Sequence, residues 1–265
     1  MYELTYHRAG SLAEALELLA GAEDGALLAG GQTLVPTMKA RLAAPSDLVD
    51  ISAISELAGI REAGDAVEIG AMTTHGEVAG SALVRDRIPG LAALAGLIGD
   101  AAVRHRGTIG GSLANNDPAA CYPAAVLALG ATVVTDRREI PAEAFFQGMF
   151  TTDLDEGEII TSVRFPVPVR SAYAKFPQPA SRYPMAGVFV AETTRGPRVA
   201  VTGAGEDGVF RAENLEAALA AGWSAAAVSA VEVSAEGLAS DIHGQADYRA
   251  ALVSAMAGKA VAEAF

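Results

Sequence analysis

The sequence predicts a mixed helix–strand protein of two domains, and three observations carry that expectation. Strand and helix signals alternate up to about Phe165. A stretch punctuated by Pro166, Pro168, Pro177, Pro179 and Pro184 then interrupts them. Beyond it, the remaining residues carry strands and alanine-rich helices of their own. With 265 residues, 51% of them apolar, the chain is long enough for two domains of ordinary size and can bury a core in each.

Each element has a local reason. Residues 3–6 read as a short strand. Ser11 and Glu14 have capping-box spacing, and Leu12, Ala15, Leu16 and Leu19 follow at helical spacing until Gly21. Residues 26–29 are an apolar run that stops at Gly30 and Gly31. Thr33 is placed to cap a second helix through Arg41, with Leu34, Met38 and Leu42 on one face. Pro45 breaks it and residues 48–51 return as a strand, giving a small βαβ-like unit. In the second block residues 67–69 alternate as a strand, and Thr74 and Glu77 repeat the capping-box spacing. Residues 89–102 read as one helix of Leu and Ala, and a glycine turn covers 107–111. Asp117 as N-cap and Pro118 at the first position open a helix through 129, followed by a strand over 132–135. Ile159, Thr161, Val163 and Phe165 alternate with Ile160, Ser162 and Arg164 as a strand that stops at Pro166. Past the proline stretch come strands over 185–191 and 198–202 and helices over 212–221 and 248–264.

Composition narrows the function. A net charge of −13 and a pI near 4.7 leave no basic footprint for nucleic acid or an anionic membrane. One cysteine, Cys121, excludes a disulfide framework and any Cys-ligated zinc or iron–sulfur centre built by this chain alone. His7, His75, His105 and His243 form no HExxH pair. The N-terminus lacks a basic region followed by an apolar run. The longest uncharged stretch, residues 118–135, spans 18 residues but holds Pro118, Pro123 and Gly130. A buried helix followed by a strand is expected there rather than a membrane span, and a cytoplasmic protein overall. No nucleophile–base–acid set and no Gly-x-Ser-x-Gly elbow is present, so the chemistry is expected from a cofactor or a partner.

The glycine motifs differ in quality. Gly203, Gly205 and Gly208 match GxGxxG, yet Glu206 and Asp207 would face a diphosphate and no amphipathic helix follows, so an ordinary loop is the better reading. Two other turns are better placed. One comprises Ala29, Gly30, Gly31, Gln32 and Thr33, between a strand and a helix. The other comprises Thr108, Ile109, Gly110, Gly111 and Ser112, after the basic cluster Arg104-His105-Arg106. Adjacent glycines allow close approach and positive φ, and consecutive N–H groups make an anion-binding nest without Lys or Arg. As a pair they point to a nucleotide cofactor. Arg104 and Arg106 read as a solvated face, with a phosphate or partner contact as the alternative. Cys121 reads as buried packing, with no adjacent base or cation in sequence.

The same residues carry a resemblance. Residues 28–42 with 48–51, and residues 98–120 with their Gly107-Thr-Ile-Gly-Gly-Ser112 core, resemble the FAD-binding medium subunits of bacterial molybdenum hydroxylases of the aerobic carbon monoxide dehydrogenase and xanthine dehydrogenase type. Residues 145–152, 158–160 and 173–176, Asp241-Ile-His-Gly244 and Tyr248-Arg249 also fit, in the same order over nearly the whole chain. The resemblance implies an α+β fold. A two-lobed FAD-binding domain of the vanillyl-alcohol oxidase or p-cresol methylhydroxylase type would occupy residues 1–170, with lobes of about 1–54 and 55–170. A smaller α+β domain with a three-stranded antiparallel sheet would occupy 171–265.

The resemblance also implies the site and the partners. The two glycine turns would hold the diphosphate, Ile98 and the backbone of Ile159 would contact the flavin, and Lys175 would bring a cation to its edge. Cys121 stands where the family often has an acidic residue for the cofactor's sugar. A thiol is a poorer acceptor than a carboxylate, which leaves a weaker hold or a neighbour such as Asp117 to serve. His105 and Asn115 also depart from the common pattern. A large subunit with a molybdenum–pterin cofactor and a small subunit with two [2Fe–2S] clusters are implied partners, in a dimer of heterotrimers. This chain would pass their electrons through FAD to an external acceptor and supply no catalytic side chain and no metal ligand of its own. Two rivals are a self-contained flavin enzyme similar to the UDP-N-acetylmuramate dehydrogenases and a non-enzymatic assembly subunit with a degenerate pocket.

Overall fold

The computed structural model describes residues 1–264. Strands Thr5–Arg8, Asp47–Asp50 and Gly25–Leu28 lie side by side in that order as a parallel sheet. Parallel neighbours need crossover connections, and helices Leu12–Gly21 and Leu34–Lys39 supply them. Ser11 accepts from the Glu14 N–H at 3.2 Å, but the Glu14 carboxylate reaches back to Gly10 N–H rather than to that of Ser11. The second helix stops at Lys39, short of the expected Arg41, which sits at φ +61°. Thr33 gives it no side-chain cap. Ala9, Ala15, Val49, Ile51, Ile54 and Leu57 form the core of this lobe together with Ile159 from far along the chain. Gly25–Leu28 is an edge strand, so the turn after it is open on one side.

The second lobe is a five-stranded antiparallel sheet ordered Ile60–Ala63, Ala66–Gly70, Ile160–Pro166, Thr132–Thr135, Glu139–Pro141. Period-two alternation sends Val163 and Phe165 into the core while Arg164 pairs with Glu139 outside. Helix Tyr122–Leu129 is buried at every position, as an all-apolar segment must be. Two expected helices differ from the sequence reading. Asp117 and Pro118 do not open a helix: Asp117 Oδ1 accepts from Ala119 N–H at 2.8 Å in a local turn, and the helix starts after Cys121 with Pro123 in its first turn. The single helix over 89–102 is two, Pro89–Gly96 and Ala101–Arg106. Gly99 at φ +49° ends the first approach, and Asp100 restarts the chain as an N-cap on Val103 N–H. The resulting 97–100 corner faces the cleft described below.

Three residues separate that sheet from the next, a four-stranded antiparallel sheet of Arg170–Pro177, Pro184–Thr193, Gly196–Thr202 and Phe210–Arg211. The last, two-residue strand makes it one strand larger than the three expected. The prolines at 177, 179 and 184 bound the loop between its first two strands, so Arg170–Pro177 is a strand within the stretch that reads as punctuation. Tyr173, Phe189, Ala191 and Ala200 face the second-lobe core, while Ala172, Val188, Val190, Val199 and Val201 face helices Glu213–Ala221 and Ala246–Glu263. Gly203 and Gly208, at φ +78° and +109°, lie in the loop before Phe210–Arg211; a strand follows, not a helix, which fits the reading of GxGxxG as a loop. Among the described residues no helix is long and apolar enough to cross a membrane.

Candidate FAD site

A cleft of about 670 Å³ opens where the three sheets meet, within the roughly 300–1,000 Å³ range of cofactor pockets. Of the residues singled out from the sequence, Ala29, Gly30, Gly31, Gln32, Thr33, Ile98, Thr108, Gly110, Gly111, Ser112, Asp117, Cys121, Ile159 and Lys175 line it. Ile109 does not. Its side chain is fully buried in the second-lobe core, because it is the apolar residue at the start of helix Ile109–Asn115.

The two glycine turns face each other: a Cβ on Gly111 would sit 3.5 Å from that of Ala29. Gly30 lies so tightly against the Arg106 carbonyl that a Cβ there would overlap it and come within 2.8 Å of Gly107 Cα. Gly31 takes φ +69°. The backbone N–H groups of Ala29, Gly30, Gly31, Gln32 and Thr33 find no acceptor among the described residues. An edge strand and a left-handed glycine thus leave a run of donors turned away from the sheet, the arrangement an oxyanion fills.

The second turn is built otherwise, and the nest expected there is corrected. Ile109 N–H donates to the Thr73 carbonyl at 3.1 Å and Gly110 N–H to that of Ala71 at 2.8 Å. Gly111 N–H goes to Thr108 Oγ1 and Ser112 N–H to the Thr108 carbonyl. Gly110 is small because a Cβ would lie 2.6 Å from that of Ala71. This wall offers the cleft bare backbone surface and the Ser112 side chain, with its N–H groups already spent on packing.

Other segments close the site. The 97–100 corner is held by Arg104, which donates to the carbonyls of Ile98 and Gly99 at 3.0 and 3.2 Å. Arg104 is therefore a brace and not a solvated face. Lys175 Nζ donates to the carbonyls of Leu97 at 2.6 Å and Arg182 at 2.9 Å and lies 3.7 Å from Cys121 Sγ. The cation absent from the sequence neighbourhood of Cys121 thus arrives across the fold. Burial pushes the Cys121 thiol up, and the Lys175 charge offsets this only partly. The ammonium makes no ion pair among the described residues, so it acts on the cleft as a positive charge whose donors are already engaged. Asp117 keeps its second carboxylate oxygen beyond the Ala119 bond.

The 154–160 segment is fixed from behind. Glu158 accepts from Thr135, Arg138 and Asp155 N–H, and these donors hold its carboxyl down at about 2. Its carboxylate serves the loop and not the cleft. Ile159 N–H donates to Asp136 Oδ1 at 2.7 Å, and its carbonyl accepts from Asp136 N–H at 3.0 Å. Any backbone contact from Ile159 to a ligand is thus left to the second lone pair of that carbonyl. His75, Arg182 and Tyr183 also line the cleft and were missed. His75 follows a recognisable N-cap, but nothing local says which way its ring turns, and Arg182 and Tyr183 sit in an aperiodic proline loop.

Comparison with known proteins agrees with this geometry. Residues 2–168 match the family model described as the FAD binding domain in molybdopterin dehydrogenase. The carbon monoxide dehydrogenase medium chain of Hydrogenophaga pseudoflava is 37% identical over 97% of this chain and 95% of its own. The nicotine 6-hydroxylase medium subunit of Paenarthrobacter nicotinovorans is 35% identical over 98% and 97%. Among solved structures, carbon monoxide dehydrogenase from H. pseudoflava superposes with a TM-score of 0.87 at 37% identity over 98% of this chain and 96% of that one. Quinoline 2-oxidoreductase from Pseudomonas putida 86 superposes at 0.90 and 30% identity over 99% and 96%. With a bare-donor glycine turn, a cleft of cofactor size and full-length relatives of one kind, the chain belongs to the family of FAD-binding medium subunits of molybdenum hydroxylases.

Proposed function

We propose that this chain holds FAD in the cleft and relays electrons from two [2Fe–2S] clusters of a small partner subunit to an external acceptor. A large partner subunit with molybdenum–pterin would oxidise the substrate, the three assembling as a dimer of heterotrimers. The observation that carries the reading is the run of unpaired N–H groups at residues 29–33, facing the cleft in a chain of net charge −13. Backbone donors bind a diphosphate without a basic surface. Bound FAD would supply the junction between one-electron and two-electron transfer; the chain supplies binding, orientation and local charge.

Roles follow from the placement of each group. The 29–33 turn takes the diphosphate, with Gln32 and Thr33 as side-chain donors. Gly111 lets it lie close, Gly110 seats the wall on Ala71, and Thr108 fixes the opposing turn through its cap while Ser112 adds a hydroxyl. Asp117 accepts from the sugar in place of Cys121, Ile98 and Ile159 border the ring, and Lys175 favours negative charge at its edge. Residues 1–170, in lobes of about 1–54 and 55–170, form the FAD-binding domain, and 171–265 close the cleft from the far side. Relatives named for carbon monoxide, nicotine and glyceraldehyde share 35–37% identity with this chain. Such even similarity suits a subunit that never meets the substrate.

The test is reconstitution of the full chain with FAD, followed by mixing with its co-purified partner subunits and their substrate. One flavin per chain, bleached on substrate addition only when the partners are present, is expected. A chain that binds no flavin, or whose flavin stays oxidised with active partners, overturns the proposal.

A further inference from the structure

We infer that His75 is a cofactor-contacting residue, its imidazole forming a hydrogen bond with a diphosphate or ribose oxygen of FAD behind the first glycine turn. The inference rests on the FAD reading of the cleft and deepens it. His75 is 5% exposed, yet it is among the residues that line the cleft. Neither ring nitrogen has a hydrogen-bond partner among the described residues, and Nδ1 is sealed from solvent. Nδ1 is sealed from the cleft as from solvent, so the contact falls to Nε2, an unpaired nitrogen of a nearly buried ring at the cleft wall, where folded proteins almost always supply a partner.

Its position is built and not incidental. Thr74 and Glu77 form a complete capping box that fixes the start of helix His75–Gly80. His75 N–H donates to the Gly107 carbonyl at 2.9 Å. A Cβ on Gly107 would lie 2.5 Å from His75 Nε2, and one on Gly30 would meet the Arg106 carbonyl first, with Gly107 Cα 2.8 Å away. Gly107 thus lies against both the imidazole and Gly30, next to the turn that carries the unpaired N–H groups. On the other side the ring leans on Tyr122, centroids 5.3 Å apart. Burial and the Arg104 guanidinium lower its pKa to about 4. The ring is neutral near pH 7 and offers one N–H donor and one acceptor.

The full chain, labelled with ¹⁵N-histidine, is titrated with FAD while ring nitrogen shifts are followed, the His75 signals being assigned by their absence in His75→Gln. FAD affinity is measured in parallel for wild type, His75→Gln and His75→Phe. A ring shift that saturates with FAD occupancy is expected, with affinity about tenfold weaker in His75→Phe and partly restored by the amide of His75→Gln. FAD binding that leaves the His75 ring unmoved and His75→Phe at wild-type affinity would make it a packing histidine and overturn the inference alone. Should His75→Phe fail to fold, the ring titration of the wild-type chain decides. A wild-type chain that binds no FAD fells the cleft reading and this inference together.

Discussion

The two glycine turns share a Gly–Gly pair, flanking hydroxyl residues and one cleft, and they use their backbones in opposite ways. Residues 29–33 leave a sheet edge and keep their N–H groups unpaired. Residues 108–112 run against the carbonyls of Ala71 and Thr73 and spend theirs on them. Gly31 is glycine for its φ of +69°; Gly110 is glycine because Ala71 occupies the space a Cβ would need. One turn leaves its donors open to the cleft and the other spends them on packing. A shared Gly–Gly pair does not imply shared chemistry; the neighbouring strand decides.

Substitutions separate the two turns. Gly30→Ala forces the first turn off the Arg106 carbonyl; an overpacking cost of about 3 kcal/mol should appear as a roughly hundredfold loss of FAD affinity by flavin fluorescence titration. Gly110→Ala should do the reverse, lowering stability in urea by about 2 kcal/mol while the folded fraction binds FAD as before. Gly31→Ala meets the left-handed penalty of about 1–2 kcal/mol, read as about tenfold in FAD affinity. Thr108 caps Gly111 N–H, so Thr108→Ala should cost about 1 kcal/mol of stability. Thr33 makes no cap, so Thr33→Ala should change stability by less than about 0.5 kcal/mol.

Acid adds a further test, because both turns adjoin Gly107, which packs on the buried His75. The folded-state pKa of His75 lies near 4, below the 6.5 of an unfolded chain. Its contribution is therefore complete above pH 6.5 and is lost as pH falls toward 4, since the unfolded chain takes the proton first. The Tyr122 phenol against the ring stays protonated through that window, since burial pushes it far above the usual tyrosine value. Urea midpoints measured from pH 7 to 4 should fall for the wild type and fall less in His75→Gln.

Much of the fold was legible because its elements are periodic or capped: the helix after Ser11, the strand through Phe165, the buried run over 122–129. The site was legible as two turns, since paired glycines stand out in any sequence. What stayed hidden depends on contacts between distant segments. Lys175 reaches Cys121 and Leu97 from the third sheet. The Ala71 and Thr73 carbonyls reach the second turn from another strand, and the side chain at Ile109 turns inward. The break at Gly99 was masked by the apolar run around it, in which helical spacing outweighed one glycine followed by an N-cap.

Amide hydrogen exchange with and without FAD tests the difference between the turns most directly. The account predicts that amides of residues 29–33 exchange rapidly in the apoprotein and become protected by FAD. Those of Ile109 and Gly110 should be protected in both states. Amides at 29–33 that stay fast at saturating FAD, or amides at 109–110 that gain protection only with FAD, would contradict it.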